Sequence, residues 1–303
     1  MKILFVTTKN PEKQGDYYEL SLITGLRKIL GDDFVEYPKK KILYGDFSES
    51  PKHTLHGKGF TYCTNPIKDV SYDRNNIKTE DFDVIIMGSG HMYGEEWETD
   101  HHNVWYTDGH DLFGDAKRRI TYKGDNIIGC QYTEKCFKRE LVENFPSVYQ
   151  IGFGIPEEYI KPIDLSIKTQ LFQSTAPSNA CFKENSSYRF DKEEDYYQDM
   201  QRSWFGLTSM KGGWDCLRHY EILASGSLLL FKDFNNKPPL IQPNCPTISY
   251  SSHEELYSIM NKLVIDNKPT EEYINLLNLQ REWLLNHGTC EKRALDIVKI
   301  LNK

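Results

Sequence analysis

The sequence predicts an α/β protein of two domains, each built on a parallel sheet, with the two sheets facing across a cleft. At 303 residues, the chain is longer than one ordinary domain of roughly 100–200 residues and short for three. Apolar runs followed by helical patterns occur in both halves, which is typical of βα units in parallel sheets. Pro156 and Pro162 interrupt this pattern, so we predict a first domain at residues 1–160 and a second domain at 161–303.

The first predicted domain opens with the run KILFVT at residues 2–7, which is typical of a strand covered on both faces. The apolar residues between positions 22 and 30 then recur on one helical face. Residues 81–90 form a second apolar strand that ends in glycines. Shorter strand candidates lie at residues 126–130 and 148–152. These elements predict a parallel sheet.

Residues 44–70 carry Gly, Pro, His and Lys with little periodicity. The stretch is too long for an ordinary connection, and long irregular inserts of this kind are usually functional loops or covers over a site.

The second predicted domain repeats the alternation of strand and helix. Strands are predicted at residues 167–172, 205–210, 227–231 and 247–250. Helices are predicted at residues 191–204, after the glycines at 212 and 213, from Ser252, from Thr270 to Gly288, and at residues 291–301. We expect the last helix to pack back on the first domain.

The most informative stretch is KGGWDCLRHYE at residues 211–221. Two glycines let the backbone approach a ligand, and the helix N terminus that follows offers unpaired N–H groups to a phosphate. The diphosphate-binding candidates, chosen by charge and position, are Lys211, Gly212, Gly213 and Arg218. Glu221, one turn further on, can accept hydrogen bonds from a ribose diol. An ordinary strand, turn and helix with a surface glutamate is an equal alternative.

YEILASG at residues 220–226, followed by an apolar strand, resembles the E-A-L-A-x-G-x-P-V-V element in the donor domain of GT-B glycosyltransferases. GGWDCLRHYE, at residues 212–221, resembles more specifically the spore-maturation-protein-like (CgeB-like) branch of glycosyltransferase family 1. The resemblance covers roughly residues 160–265. Many retaining members carry a second glutamate eight residues before the helix glutamate. This chain has Gly213 there, so the stereochemistry does not carry over.

The resemblance implies a GT-B fold with two Rossmann-like domains, of which residues 1–160 form the acceptor-side domain and residues 161–303 the nucleotide-sugar donor domain. It implies a ribose held by Glu221. It also implies transfer of a sugar from a nucleotide-diphosphate donor to a hydroxyl acceptor, which could be a glycan, a lipid, a protein or a modified DNA base. GT-B enzymes place the loop after the first strand near the donor or the acceptor, which makes Gly15 a further candidate.

Four of the nine histidines lie near aspartates in the first half: His91, His101, His102 and His110, with Asp100, Asp108 and Asp111. A metal site is one interpretation, but no pair has the His-x-x-x-His spacing of one helical face, and we expect no metal cofactor. Residues 104–111 predict a strand followed by an acidic turn that faces the cleft. Asp108 and His110, with His91 behind them, are the candidates for a general base. A polar turn bonded to its own backbone is the alternative.

Composition excludes several classes of protein. The chain is 39% hydrophobic and 27% charged, as in a globular protein, and its net charge of −7 does not indicate DNA as a partner. No apolar run approaches the ~18 residues of a transmembrane helix, so we expect a cytoplasmic location. The seven cysteines are scattered, which favours reduced thiols.

Three alternative interpretations of the fold and function remain. The residues from Asp108 to Asp111 superficially resemble the acidic metal motif of single-domain GT-A enzymes. A GT-B fold also serves nucleotide-sugar epimerases and could serve a non-catalytic nucleotide-binding module.

Overall fold

The computed structural model describes residues 1–7, 16–45, 56–88, 99–109, 135–142, 144–183 and 189–303. The candidates Gly15, His91 and His110, and the strand predicted at residues 126–130, lie outside these residues.

The first sheet is parallel throughout. Its strands in the described residues are β1 (Ile3–Val6), β2 (Phe34–Tyr37), β3 (Val84–Gly88), β4 (Val104–Asp108), β5 (Cys136–Lys138) and β6 (Val148–Gln150). They lie in the spatial order β2-β1-β3-β4-β5-β6. All four residues of the inner strand β1 are buried, which explains the unbroken apolar run at the start of the chain.

Helix α1 (Tyr17–Leu30) follows β1. It begins after Asp16, whose carboxylate accepts a hydrogen bond from the backbone N–H of Tyr18, and it ends at Gly31, where φ is 56°. The helix predicted after the first strand is therefore confirmed.

The second sheet is also parallel. Its strands in the described residues are β7 (Gln170–Phe172), β8 (Ser203–Ser209), β9 (Leu228–Lys232) and β10 (Ile248–Tyr250), in the order β10-β9-β8-β7. A small antiparallel pair joins β11 (Val264–Ile265) to β12 (Lys268–Pro269). The helices of this half are α2 (Ser178–Cys181), α3 (Glu193–Gln201), α4 (Leu217–Ala224), α5 (His253–Leu263), α6 (Glu271–His287) and α7 (Cys290–Leu301).

Two predicted boundaries in this half are wrong. The helix predicted to run to Trp204 ends at Gln201, because the chain enters β8 at Ser203, which pairs with Gln170. The strand predicted from residue 167 begins only at Gln170, because Leu165–Ile167 form a 3-10 turn capped by the Asp164 carboxylate.

Helix α7 lies against α1 of the first sheet. Gly25 makes this approach possible, since a Cβ atom there would lie 2.0 Å from the carbonyl oxygen of Cys290. At the edge of the contact, Lys28 Nζ forms an ion pair with Glu291 at 2.7 Å. The C-terminal helix is therefore packed on the half of the molecule that the N terminus begins.

Free thiols are found at Cys63, Cys181, Cys216, Cys245 and Cys290. Cys136 is disulfide-bonded, so the expectation of a reduced thiol is wrong at that position. In the part of the chain that the structure describes, no helix has the length and hydropathy to cross a membrane.

Candidate functional site

The candidate donor site lies where β8 ends and α4 begins. Residues 210–216, here called the glycine turn, connect the two, and the N–H of Lys211 donates to the carbonyl of Gly213 at 3.2 Å. Cys216 precedes α4 without a side-chain cap. The predicted sequence of strand, glycine turn and helix N terminus is therefore confirmed, and it leaves backbone N–H groups to be satisfied by other partners.

Two cationic side chains belong to this region: Lys211 lies within the glycine turn, and Arg218 lies in the first turn of α4. Arg218 donates from Nη1 to the carbonyl of Thr175 at 3.1 Å, which holds the guanidinium beside the loop after β7. The pKa of Lys211 is lowered, first by desolvation and then by the positive charge of Arg218. An anion bound between the two side chains would be attracted by both positive charges and would relieve the repulsion between them.

The loop after β7, whose Thr175 carbonyl Arg218 contacts, contains two buried hydroxyl groups. The Oγ atom of Ser174 and the Oγ1 atom of Thr175 are buried and have no hydrogen-bond partner among the described residues. Buried hydroxyl groups are ordinarily paired, so these two are available to a ligand.

Glu221 is buried rather than on the surface, with 5% of the residue exposed. Its Oε1 atom accepts a hydrogen bond from Thr61 Oγ1 at 2.6 Å, and its Oε2 atom accepts one from the hydroxyl of Tyr196. Burial raises the pKa of the carboxyl, against the opposing effects of these two hydroxyls and of Arg218. The surface glutamate of the alternative interpretation is therefore wrong, and the carboxylate holds two hydroxyl donors.

Glu140 of the first half, just after β5, reaches the same turn. Its Oε1 atom accepts from the backbone N–H of Asp215 at 2.8 Å and would lie 2.1 Å from a Cβ atom on Gly213. Its Oε2 atom is buried without a partner among the described residues. Burial raises the pKa of this carboxyl to about 7, although Arg139 and the N–H of Asp215 oppose the shift.

Asp215 connects the two halves at this turn. Its side chain accepts from the backbone N–H of Phe153 at 2.8 Å and from the hydroxyl of Tyr220 at 2.7 Å, and its carbonyl accepts from Arg139 Nη1 at 2.7 Å. Sequence reasoning passed over Asp215 and Glu140. The aspartate stands inside the quoted motif, whereas the stretch KRE that contains Glu140 gives no signal beyond that of a solvated surface.

The acceptor-side candidates are only partly described. Asp108 is the last residue of β4, is 2% exposed, and pairs with Lys138 Nζ at 2.7 Å. It therefore lies at the carboxyl edge of the first sheet, within a buried ion pair.

The rings of His101 and His102 are in tilted contact, with centroids 4.6 Å apart, and His101 Nε2 lies 3.0 Å from the carbonyl of Phe82. Among the described residues, no group of three or more His, Cys, Asp or Glu side chains is placed to hold a metal ion.

No protein-family model and no curated protein sequence matches the chain. Among solved structures, the chain is similar to HepE of Anabaena in complex with UDP, with a TM-score of 0.53 and 11% identity over 100% of both chains. It is also similar to a glycosyltransferase from Rickettsia africae, with a TM-score of 0.51 and 11% identity over 99% of this chain and 97% of that one. The likeness shows the fold: the chain has the predicted two-domain GT-B fold, with Rossmann-like parallel sheets.

Proposed function

We propose that the chain is a glycosyltransferase that moves a sugar from a nucleotide-diphosphate donor to a hydroxyl acceptor. The donor would bind to the second domain (residues 161–303), and the acceptor would be presented by the first (residues 1–160). One observation carries the proposal: the glycine turn, with the cationic side chains of Lys211 and Arg218, lies within one helical turn of the buried carboxylate of Glu221. That spacing suits a diphosphate and the ribose attached to it.

The chemistry proposed for this site is stabilisation of the leaving nucleoside diphosphate. Negative charge develops on the diphosphate as the glycosidic bond breaks, and the N terminus of α4 together with Lys211 and Arg218 can neutralise it. Protein groups then supply the positive charge that a divalent cation supplies elsewhere, so we propose metal-independent transfer.

Family and donor are further parts of the proposal. The GGWDCLRHYE motif at residues 212–221 supports placement in the spore-maturation-protein-like branch of glycosyltransferase family 1. HepE, similar in fold, was solved with UDP, and we take uridine diphosphate as the first donor nucleotide to test.

On the acceptor side, we propose Asp108, His110 and His91 as candidates for the general base that takes the proton of the acceptor hydroxyl. Asp108 supports this placement by ending a strand at the carboxyl edge of the sheet, where cleft residues of such folds lie. Because Lys138 pairs with its carboxylate, transfer to an acceptor would require that ion pair to rearrange. Turnover of Asp108→Asn at saturating donor tests the assignment.

The donor assignment is tested with Glu221→Gln. A carboxylate accepts from both ribose hydroxyls, whereas an amide accepts through only one of its two head atoms. Loss of a hydrogen bond to a charged group is worth roughly 1.5–3 kcal/mol, so the dissociation constant of UDP should rise by about one to two decades. Isothermal titration calorimetry on both proteins measures this without an acceptor.

The matched control is Glu282→Gln, the same change at an exposed residue of α6. It should bind UDP as the wild type does, and thermal unfolding should show all three proteins folded. Equal dissociation constants for the wild type and Glu221→Gln, and again for this pair of proteins when Thr61 is changed to Val in both, would remove Glu221 from the donor site.

A further inference from the structure

Glu140 occupies the phosphate end of the proposed donor site. Its carboxylate accepts from the N–H of Asp215 at 2.8 Å and fills the space that a side chain at position 213 would take. The backbone N–H of Trp214 also hydrogen-bonds to it. A carboxylate held by consecutive backbone N–H groups ahead of a helix makes the contacts that a phosphate makes at such a place.

Thr61 occupies the ribose end. Its hydroxyl donates to one oxygen of Glu221 at 2.6 Å, while the hydroxyl of Tyr196 donates to the other oxygen. Two hydroxyl groups on the two oxygens of one carboxylate are the arrangement that a vicinal diol of a ribose would produce. Thr61 comes from the insert of the first half that the sequence marks as a cover over a site.

The segment that carries Thr61, residues 57–65, is here called the strap, and two of its residues have a strained backbone conformation. Thr61 has φ of 78° and Lys58 has φ of 59°, conformations that are costly for side chains other than glycine, and most costly for a β-branched one. Contacts to both halves compensate: the hydroxyl of Tyr62 donates to the carbonyl of Gly154 in the first half, and two further contacts reach the second half. The N–H of Thr61 donates to the Glu193 carboxylate, and Lys58 Nζ donates to Asp191 at 2.7 Å.

We infer that the first domain caps the donor site in this conformation, with Glu140 standing in for the diphosphate and Thr61 for a ribose hydroxyl. This inference rests on the proposed function. Both groups come from the first half and both ends of the site are filled, so a nucleotide reaches the site only after the strap and Glu140 withdraw. The strained strap favours release once its contacts to Glu193 and Glu221 are lost. Only open molecules bind the nucleotide, so the apparent affinity is the intrinsic affinity multiplied by the fraction of molecules that are open.

The inference is tested by titrating UDP into Thr61→Val, which keeps the β-branched shape and removes the hydroxyl. A weaker cap leaves more molecules open, so UDP should bind more tightly than to the wild type, by up to about 10- to 100-fold. The matched control is Thr24→Val, since the Thr24 hydroxyl is buried in α1 without a partner among the described residues. It should bind UDP with the wild-type dissociation constant.

Hydrogen exchange of the wild type gives a second readout that needs no variant. Saturating UDP should speed exchange of the backbone N–H groups in the strap. Wild-type or weaker UDP affinity in Thr61→Val, or a strap that exchanges no faster with UDP bound, overturns the cap. The proposed function then still stands if Glu221→Gln loses UDP binding. If wild type, Thr61→Val and the double variant Thr61→Val/Glu140→Ala all fail to bind UDP, GDP and ADP, the donor site itself is refuted.

Discussion

At the scale of single residues, the candidate site contains two buried carboxylates that differ in their hydrogen-bond donors. Glu221 accepts from two hydroxyl groups, whereas Glu140 accepts from backbone N–H groups and leaves its Oε2 atom unpaired among the described residues. A buried, half-paired carboxylate is expensive in its charged form. Burial accordingly raises the pKa of both groups, that of Glu140 to about 7.

The raised pKa of Glu140 predicts a pH dependence of stability. The ordinary pKa of a glutamate is 4.5, and the folded value is about 7, so folding favours the protonated form. The stability due to this proton is fully present below pH 4.5 and is lost as the pH rises through 7. The charged groups around Glu140 are Arg139, Asp215 and Lys237.

The side chain at position 140 stays neutral at every pH in Glu140→Gln, so the variant should not lose this stability as the pH rises. Between pH 5 and pH 8, the free energy of unfolding of the variant should rise relative to wild type by about 2–3 kcal/mol. Urea denaturation of both proteins across this range measures the difference. Two curves that stay parallel would show that Glu140 titrates normally.

The sequence allowed the prediction of those site residues that its own neighbours identify. Lys211, Arg218 and Glu221 stand within eleven residues of one another, next to two glycines that mark a backbone ligand site. Glu140 and Thr61 could not be found in this way. Their contacts with Asp215 and Glu221 span 75 and 160 residues of sequence, and nothing local to either residue records the partner.

At the scale of elements, prediction succeeded where the element is long or buried on both faces. Strands β1 and β3 are nearly continuous apolar runs, and α6 is bounded by Thr270 and Gly288, as its capping residues indicate. Strands β2 and β5 were missed, because they have only four and three residues and carry charged side chains. In such short strands, sheet pairing rather than local pattern decides the structure.

The contact between α1 and α7 yields a prediction for Gly25→Ala. The added Cβ atom would lie 2.0 Å from the carbonyl oxygen of Cys290, and backbone on both sides cannot yield easily. Alanine has a better helix propensity than glycine, but overpacking should outweigh this gain. The free energy of unfolding of Gly25→Ala should therefore be about 1–3 kcal/mol below that of the wild type.

Thr24→Ala, one residue earlier in α1, is the control for this change, since its hydroxyl has no partner among the described residues to lose. It should cost clearly less stability than Gly25→Ala in the same denaturation experiment. If Gly25→Ala is as stable as wild type, the two helices do not pack closely in solution.

At the scale of the whole molecule, the two sheets meet through the glycine turn. Asp215 is bonded to Phe153 of the first half, and Arg139 of the first half is bonded to the Asp215 carbonyl. The sequence predicted two parallel sheets, and the pairing of the strands confirms them. It could not predict the closeness of the two halves, because that depends on contacts between residues far apart in the chain.

A crystal structure of the chain with UDP would show whether the glycine turn and Glu221 form a nucleotide site. We expect the diphosphate on the backbone N–H groups of Trp214 and Asp215, with the ribose hydroxyls on Glu221. Glu140 and Thr61 should have moved away. UDP bound elsewhere, with Glu140 still on Asp215 and Thr61 still on Glu221, would contradict this assignment.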